Sequence, residues 1–172
     1  MNTAFPSRSI STQAGFTLVE LVTVILILGV LAAVALPKYA DLQGKAREAK
    51  VKTVAGSMKS AGGLAKAAAL VNLGSCSAAT SGTVSMEGTS IALNHCYPQS
   101  LGSFATGILA ASNVSAGDGW QIAAGTPGGS AVGTTLTIEL TDAATPSTCA
   151  ITYVSPSAVN VPATVSTSVA GC

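Results

Sequence analysis

Residues 15–37 read GFTLVELVTVILILGVLAAVALP, and this stretch decides the fold. Its side chains are apolar except at three positions, Thr17, Glu20 and Thr23. As a helix rising 1.5 Å per residue, residues 16–36 would span about 31 Å, close to the ~30 Å hydrocarbon core of a membrane. We therefore predict one membrane-crossing helix here. Residues 1–15 are too polar to form the apolar core of a secretory signal peptide.

A second helical pattern follows Pro37. Apolar residues recur at helical spacing along one stripe, at Leu42, Ala46, Ala49, Val54, Met58, Ala61, Leu64 and Ala68. Several glycines interrupt this segment, and each weakens a helix by roughly 1 kcal/mol relative to Ala, so the helix needs a partner surface. We predict that residues 37–71 form an amphipathic half of the same helix, buried through this stripe.

Residues 72–172 change in composition to Ser, Thr, Gly and Val, with short alternating runs in place of the helical period. The alternation predicts strands over residues 120–123, 134–140 and 149–154, whereas a short helix is expected within 98–111. The tail over residues 155–171, with its two prolines, is interpreted as a loop. The predicted fold class is α+β, with a long N-terminal helix packed on a small antiparallel β-sheet head.

Four cysteines lie in the predicted head, at Cys76, Cys96, Cys149 and Cys172. They allow three pairings, and their even number after a membrane segment indicates disulfides in an oxidising compartment. We predict Cys76–Cys96 and Cys149–Cys172, because each pair closes a local loop and the second ties down the tail. His95 beside Cys96 stands alone, so neither a metal site nor a cofactor is expected.

The charges are segregated along the chain. The net charge is +1, yet every Lys and Arg lies at or before Lys66. The remainder carries only acidic side chains, at Glu87, Asp118, Glu139 and Asp142. A head without cations is unsuited to phosphate contacts, so no nucleic-acid contact is predicted for it. One His and scattered carboxylates form no catalytic constellation, so the chain is not predicted to be an enzyme.

The carboxylate of Glu20 is the conspicuous group in the apolar stretch. A carboxylate at mid-bilayer costs about 2.5–3.5 kcal/mol on insertion scales, and intramembrane ionisable groups are usually functional. A simpler interpretation places Glu20 near the membrane interface, where it is merely tolerated. The combination of Gly15 before it, Phe16 at the start of the apolar run and Pro37 downstream favours a functional role.

Gly15 to Leu36, followed by Pro37, resembles the cleavage site and N-terminal helix of type IV pilins. The resemblance implies that a prepilin peptidase removes residues 1–15 by cutting after Gly15 and N-methylates Phe16. It also implies that Glu20 is the assembly carboxylate, pairing with the new α-amino group of a neighbouring subunit. Gly29 and Pro37 would bound a stretch that loses helicity in the filament; a tolerated kink at Pro37 is the alternative.

The head resembles MSHA-type pilins at residues 149–154 and 171–172. The family implies a subunit that starts in the inner membrane and ends in an extracellular pilus used for attachment, aggregation or motility. Its implied partners are other copies of itself in a helical filament, the prepilin peptidase, the assembly platform and minor pilins. Two alternatives stay open: the major pseudopilin of a type II secretion system, and a monomeric membrane-tethered adhesin.

The flanking cations would orient the helix the other way, because Lys38, Lys45, Arg47, Lys50 and Lys52 outnumber Arg8. The cysteine-bearing head and the cytoplasmic leader of the family both favour an exported C-terminus. We therefore predict that residues 37–172 leave the cytoplasm.

Overall fold

The computed structural model describes residues 15–77 and 80–172. The predicted leader, apart from Gly15, lies outside the described residues. One long helix, α1, spans Leu18–Leu73. The chain divides after Asp41 into two compact units, of which the second comprises Leu42–Cys172. The first unit, as described, contains the apolar start of α1, and the sheets and the core belong to the second.

The second unit carries two antiparallel sheets where the sequence predicted one. The first sheet contains β1 (Thr80–Met86), β2 (Thr89–Asn94) and β3 (Tyr97–Pro98), paired in that order. A short helix, α2, follows at Gly107–Ala111. The second sheet contains β4 (Trp120–Pro127), β5 (Thr135–Leu140), β6 (Ala150–Val154) and β7 (Thr164–Ser168), again in chain order. The α+β class with a long N-terminal helix is confirmed.

Strand β5 illustrates why the alternating runs form this sheet. Leu136, Ile138 and Leu140 are buried, whereas the Thr and Glu side chains between them are half-buried on the other face. Because successive strand residues point to opposite faces, this pattern buries one side of the sheet against α1. The outer face bears hydroxyls, and Thr137 Oγ1 lies 3.2 Å from Thr152 Oγ1 on the neighbouring strand β6.

The core forms two clusters along α1. In the first, Val51 and Met58 of α1 pack with Ile138, Ile151 and other residues of the second sheet. In the second, Ala65 and Ala69 pack against Val84, Ile91 and Leu93 of the first sheet and against Cys96 of the turn between β2 and β3. The first cluster thus contains the earlier buried residues of α1, and the second cluster contains the later ones.

The buried stripe of α1 differs from the predicted one. The residues that are buried are Val51, Ala55, Met58, Ala61, Gly62, Ala65 and Ala69. Met58 and Ala61 were predicted correctly, but Leu42 and Leu64 are 63% and 64% exposed. The prediction favoured the larger apolar residues, whereas small Ala side chains let the strands approach the helix closely. The exposed leucines therefore belong to the outer surface of this unit.

The tail was predicted as a loop, and that prediction was wrong. Residues 164–168 form β7, which pairs with β6 from Ala150–Ser168 to Val154–Thr164. The sequence TVSTS is β-branched and polar, as suits an edge strand with one solvated face. Strands β1 and β2 were not singled out in the sequence, because their alternation is short and interrupted by Gly82 and Gly88.

Tyr153 joins the two sheets. Its side chain is buried, and its hydroxyl donates a 2.6 Å hydrogen bond to the carbonyl of Pro98 in β3. Burial, with a smaller contribution from Tyr97, raises the pKa of the Tyr153 hydroxyl well above its usual range. The neutral phenol is therefore the form that the folded unit holds.

We expect Tyr153→Phe to lower the free energy of unfolding at neutral pH by about 1 kcal/mol, since a buried hydrogen bond is lost. The raised pKa means that the Tyr153 contribution is complete below pH ~10 and is lost as the pH rises above that value. Urea unfolding at pH 8 and pH 11 measures both effects. A variant that loses as much stability at high pH as the wild type would contradict the assignment.

Candidate functional site

The start of α1 presents an apolar surface on every side. Phe16 is 92% exposed, and no residue between it and Pro37 is buried in this chain. The most apolar 18-residue window has a mean hydropathy of 2.8, and among the described residues α1 is the one helix long and apolar enough to cross a membrane. So large an apolar surface needs a membrane or other protein chains to cover it.

Glu20 is held at the first turn of α1 by Thr17. The Thr17 amide and hydroxyl each donate to Glu20 Oε2 at 2.9 Å, and the Glu20 amide donates to Thr17 Oγ1 at 3.2 Å. This reciprocal arrangement is a capping box, in which each side chain satisfies a backbone amide that the helix leaves unpaired. Thr17 was not singled out from the sequence, although the T-x-x-E spacing is visible there.

Thr17 fixes the carboxylate beside the position where a chain cut after Gly15 would begin. The negative side chain at a helix N-terminus also meets the positive end of the helix dipole. Glu20 is thus oriented toward the N-terminal end of α1 within a single copy. The Glu20 carboxylate is therefore a hydrogen-bond acceptor held in place at the N-terminal end of an apolar helix.

Gly29 and Pro37 both lie inside α1, which runs through them as a continuous helix. Among residues 15–77 and 80–172, nothing comes within 4 Å of the position where a Cβ of Gly29 would stand, apart from its chain neighbours and the helix backbone. Pro37 lacks the amide that would bond four residues back, so the helix is weakest there. Loss of helicity between Gly29 and Pro37 in an assembled state stays a prediction.

Both cysteine pairs predicted from local loops are the disulfides of the structure. Cys76 bonds Cys96 with Cα atoms 5.3 Å apart, and Cys149 bonds Cys172 with Cα atoms 4.9 Å apart. The first joins the end of α1 to the turn after β2. The second joins the start of β6 to the end of the tail.

Arg47 attaches the second disulfide to α1. Its Nη1 donates to the carbonyl of Cys172 at 3.2 Å, and its Nε lies 3.6 Å from Asp142 Oδ2. Gly171 packs so closely on Thr145 and Thr148 that a Cβ would overlap them. The tail is therefore fixed to the helix and to the segment before β6, through contacts that the sequence did not reveal.

The described part of the chain contains no cluster of potential metal ligands. No group of three or more His, Cys, Asp or Glu residues there could hold a metal ion. His95 is buried, and its Nδ1 lies 3.3 Å from the carbonyl of Cys76. The histidine thus helps to fix the first disulfide loop.

Comparison with known proteins places the similarity at the N-terminus. Residues 10–36 match the prokaryotic N-terminal methylation motif. The chain is 47% identical over 47 residues to the type IV narrow pilus major component PilA5 of Thermus thermophilus, which covers 27% of this chain and 40% of that protein. It is 51% identical over 49 residues to the type IV major pilin protein PilE1 of Neisseria gonorrhoeae, covering 28% and 30%.

The fimbrial protein EcpB of Eikenella corrodens is 53% identical over 49 residues, which cover 28% of this chain and 31% of that protein. The matched segments thus span less than half the length of these relatives. No solved structure matches the chain. The methylation motif and the N-terminal segment shared with these proteins make the start of this chain similar to that of type IV pilins.

Proposed function

We propose that this chain is a structural subunit that polymerises through α1 into an extracellular type IV pilus. The observation that carries the proposal is the exposed apolar start of α1 with a carboxylate capped at its first turn. A membrane covers that surface before assembly, and the α1 helices of neighbouring copies cover it in the filament. The relatives named as pilus or fimbrial proteins share this same segment.

Cleavage after Gly15 supplies the missing cation. The new α-amino group of Phe16 stands one residue before Thr17, whose amide and hydroxyl already hold Glu20. In a growing filament, the Glu20 carboxylate of one copy pairs with the Phe16 amino group of another. In an apolar environment such a pair is far stronger than in water, and an unpaired charge there is costly. The pair thus stabilises the filament only where neighbouring helices are stacked in the correct register.

The remaining partners follow from this cycle. A prepilin peptidase cuts after Gly15 and methylates Phe16, and an assembly platform with minor pilins lifts the subunit out of the inner membrane. Residues between Gly29 and Pro37 lose helicity as the helices pack. The filament serves attachment, aggregation or motility.

The exposed acid-bearing helix also fits the major pseudopilin of a type II secretion system. Two disulfides in a head of this length favour a pilus, since they suit a subunit exposed outside the cell. A monomeric tethered adhesin would need neither the peptidase site nor Glu20. Sheared long fibres distinguish the pilus from both.

We expect the mature subunit to begin at N-methylated Phe16. Mass spectrometry of filaments sheared from cells and checked by electron microscopy measures the N-terminal peptide directly. Gly15→Trp should leave a membrane-bound precursor and no filaments, because the bulky side chain blocks the peptidase. Gly29→Ala is the matched control, since nothing lies near its Cβ and cleavage should be unchanged. Filaments whose subunits retain residues 1–15 would refute the proposal.

A further inference from the structure

One flank of α1 in the second unit carries three of its lysines. Lys52, Lys59 and Lys66 are seven residues apart, which is close to two helical turns, so they form a row along one flank. Glu48 accepts a hydrogen bond from Lys52, and Lys66 lies over the ring of Tyr97 at 5.2 Å. Lys59 is exposed and has no partner among the described residues.

Lys59 borders a cleft of about 210 Å³ on this flank. The cleft lies between α1 and the strands β3 and β7. Its lining includes Gly62 and Gly63 of α1, Tyr97 of β3 and Val165 of β7. The glycines remove side chains from the helix surface beside Lys59, so another chain can approach the backbone closely. We name this surface the basic flank.

On the opposite flank of α1, a cleft brings an acidic side chain of the β1–β2 turn beside the helix. Ser57, Ser60 and Leu64 line a second cleft of about 350 Å³, whose other wall contains Met86, Glu87 and Thr89 from the β1–β2 turn. Glu87 is exposed, and its side chain has no partner within the described part of the chain. We name this surface the acidic flank.

Other acidic groups of the head are already engaged. Asp118 Oδ2 accepts from the Ser115 amide, Gln121 donates to Glu139, and Asp142 lies beside Arg47. Within the described residues of the head, Glu87 is thus the carboxylate left without a hydrogen-bond or ionic partner, and a cation from outside could pair with it. Because no Lys or Arg follows Lys66, that cation cannot come from another head surface of the same kind of chain.

We propose that the basic flank of one copy packs on the acidic flank of the next, with Lys59 paired to Glu87. The occupant is a second copy of this chain, because both unpartnered charges then find opposite charges and both clefts are covered. The two surfaces differ and lie on opposite sides of α1, so each copy uses one with each neighbour. Such a heterologous contact propagates instead of closing into a dimer. The inference rests on the proposed filament and assigns the head contacts within it.

Carbodiimide treatment of intact filaments tests the contact, because the reagent joins carboxylates and amines only where they touch. We expect an isopeptide between Lys59 and Glu87, with covalent dimers and higher multimers on denaturing gels. Lys59→Gln should remove that peptide and the ladder it produces. A Lys59–Glu87 link confined to monomer-sized species would overturn a contact between copies.

Charge reversal supplies the second arm. Lys59→Glu and Glu87→Lys should each lower the yield of sheared filaments at least about tenfold, since like charges then face each other between copies. Combining both reversals should restore the yield to within about threefold of the wild type. Glu139→Lys is the matched control, because it makes the same charge change on the outer face of the sheet. Membrane-inserted subunit with both disulfides in every variant excludes misfolding.

The results separate a failure of the proposed function from a failure of the proposed contact. Wild-type cells that make no filaments overturn the proposed function itself. Normal wild-type filaments without the Lys59–Glu87 link, from subunits that tolerate both reversals, overturn this contact and leave the proposed function intact. A yield loss equal in the double variant and the single variants also overturns the pairing.

Discussion

Removing the disulfide Cys149–Cys172 by replacing both cysteines with serine should lower the free energy of unfolding of the subunit by about 3 kcal/mol. The link spans 23 residues and closes the loop that contains β6 and β7. Cys149 is completely buried, so a hydroxyl in its place adds a desolvation cost. A typical domain is stable by only 5–15 kcal/mol, so the loss is a large fraction.

Urea unfolding of the detergent-solubilised, full-length subunit measures this change. The double replacement of Cys76 and Cys96 provides the control, because it opens a loop of similar length elsewhere in the same unit. Non-reducing peptide mapping of mature filaments checks the pairing independently. A Cys96–Cys149 link, or free thiols, would refute it.

The single replacement Cys172→Ser separates two roles of the tail. If Cys172→Ser abolishes fibres while the precursor accumulates, the loop is structural. If fibres persist and attachment is lost, the loop is instead the adhesive surface. The contacts of Arg47 with the Cys172 carbonyl and with Asp142 favour the structural role, since they join the tail to the helix.

Glu20→Gln should lower filament yield by about tenfold or more while the subunit is still inserted and cleaved. Glutamine keeps a side-chain oxygen that can accept from Thr17, so the helix cap survives and only the charge is removed. The interaction expected to be lost is the proposed pair between Glu20 and the Phe16 amino group of a neighbour. Quantitative immunoblots of sheared fibres, normalised to cleaved subunit in the membrane, give the result.

Thr17→Val is the control that separates capping from assembly. It removes the hydroxyl that holds Glu20 Oε2 and leaves the carboxylate charge in place. We expect at most a modest loss of fibres from this change. A loss as large as that of Glu20→Gln would show that the cap, and not the intersubunit charge pair, is what assembly needs. Wild-type fibre levels in Glu20→Gln would make Glu20 a tolerated interfacial acid.

The elements predicted best from the sequence are those set by local pattern. The apolar run fixed the start of α1, and alternation in residues 134–140 located β5 almost to its ends. The loop argument also selected the cysteine pairs that the structure contains. These features need only neighbours in the chain, so a single sequence carries them.

The features that escaped prediction depend on partners distant in the chain. Residues 164–168 form a strand only because β6 offers its edge. The buried stripe of α1 is set by how closely the sheets approach, which favours Ala65 and Ala69 over Leu64. The attachment of the tail by Arg47 joins residues 125 positions apart. The periodic pattern of apolar residues in a sequence does not predict such contacts.

The position of Lys66 in the sequence affects how the protein is cleaved by proteases. Lys66 is the last Lys or Arg in the chain, and it is shielded by Tyr97, whose hydroxyl it reaches at 3.4 Å. Proteases that cut after basic residues therefore have no cleavage site anywhere in the two sheets and the tail. In the proposed fibre, the two sheets and the tail of each subunit would therefore stay intact under trypsin-like digestion.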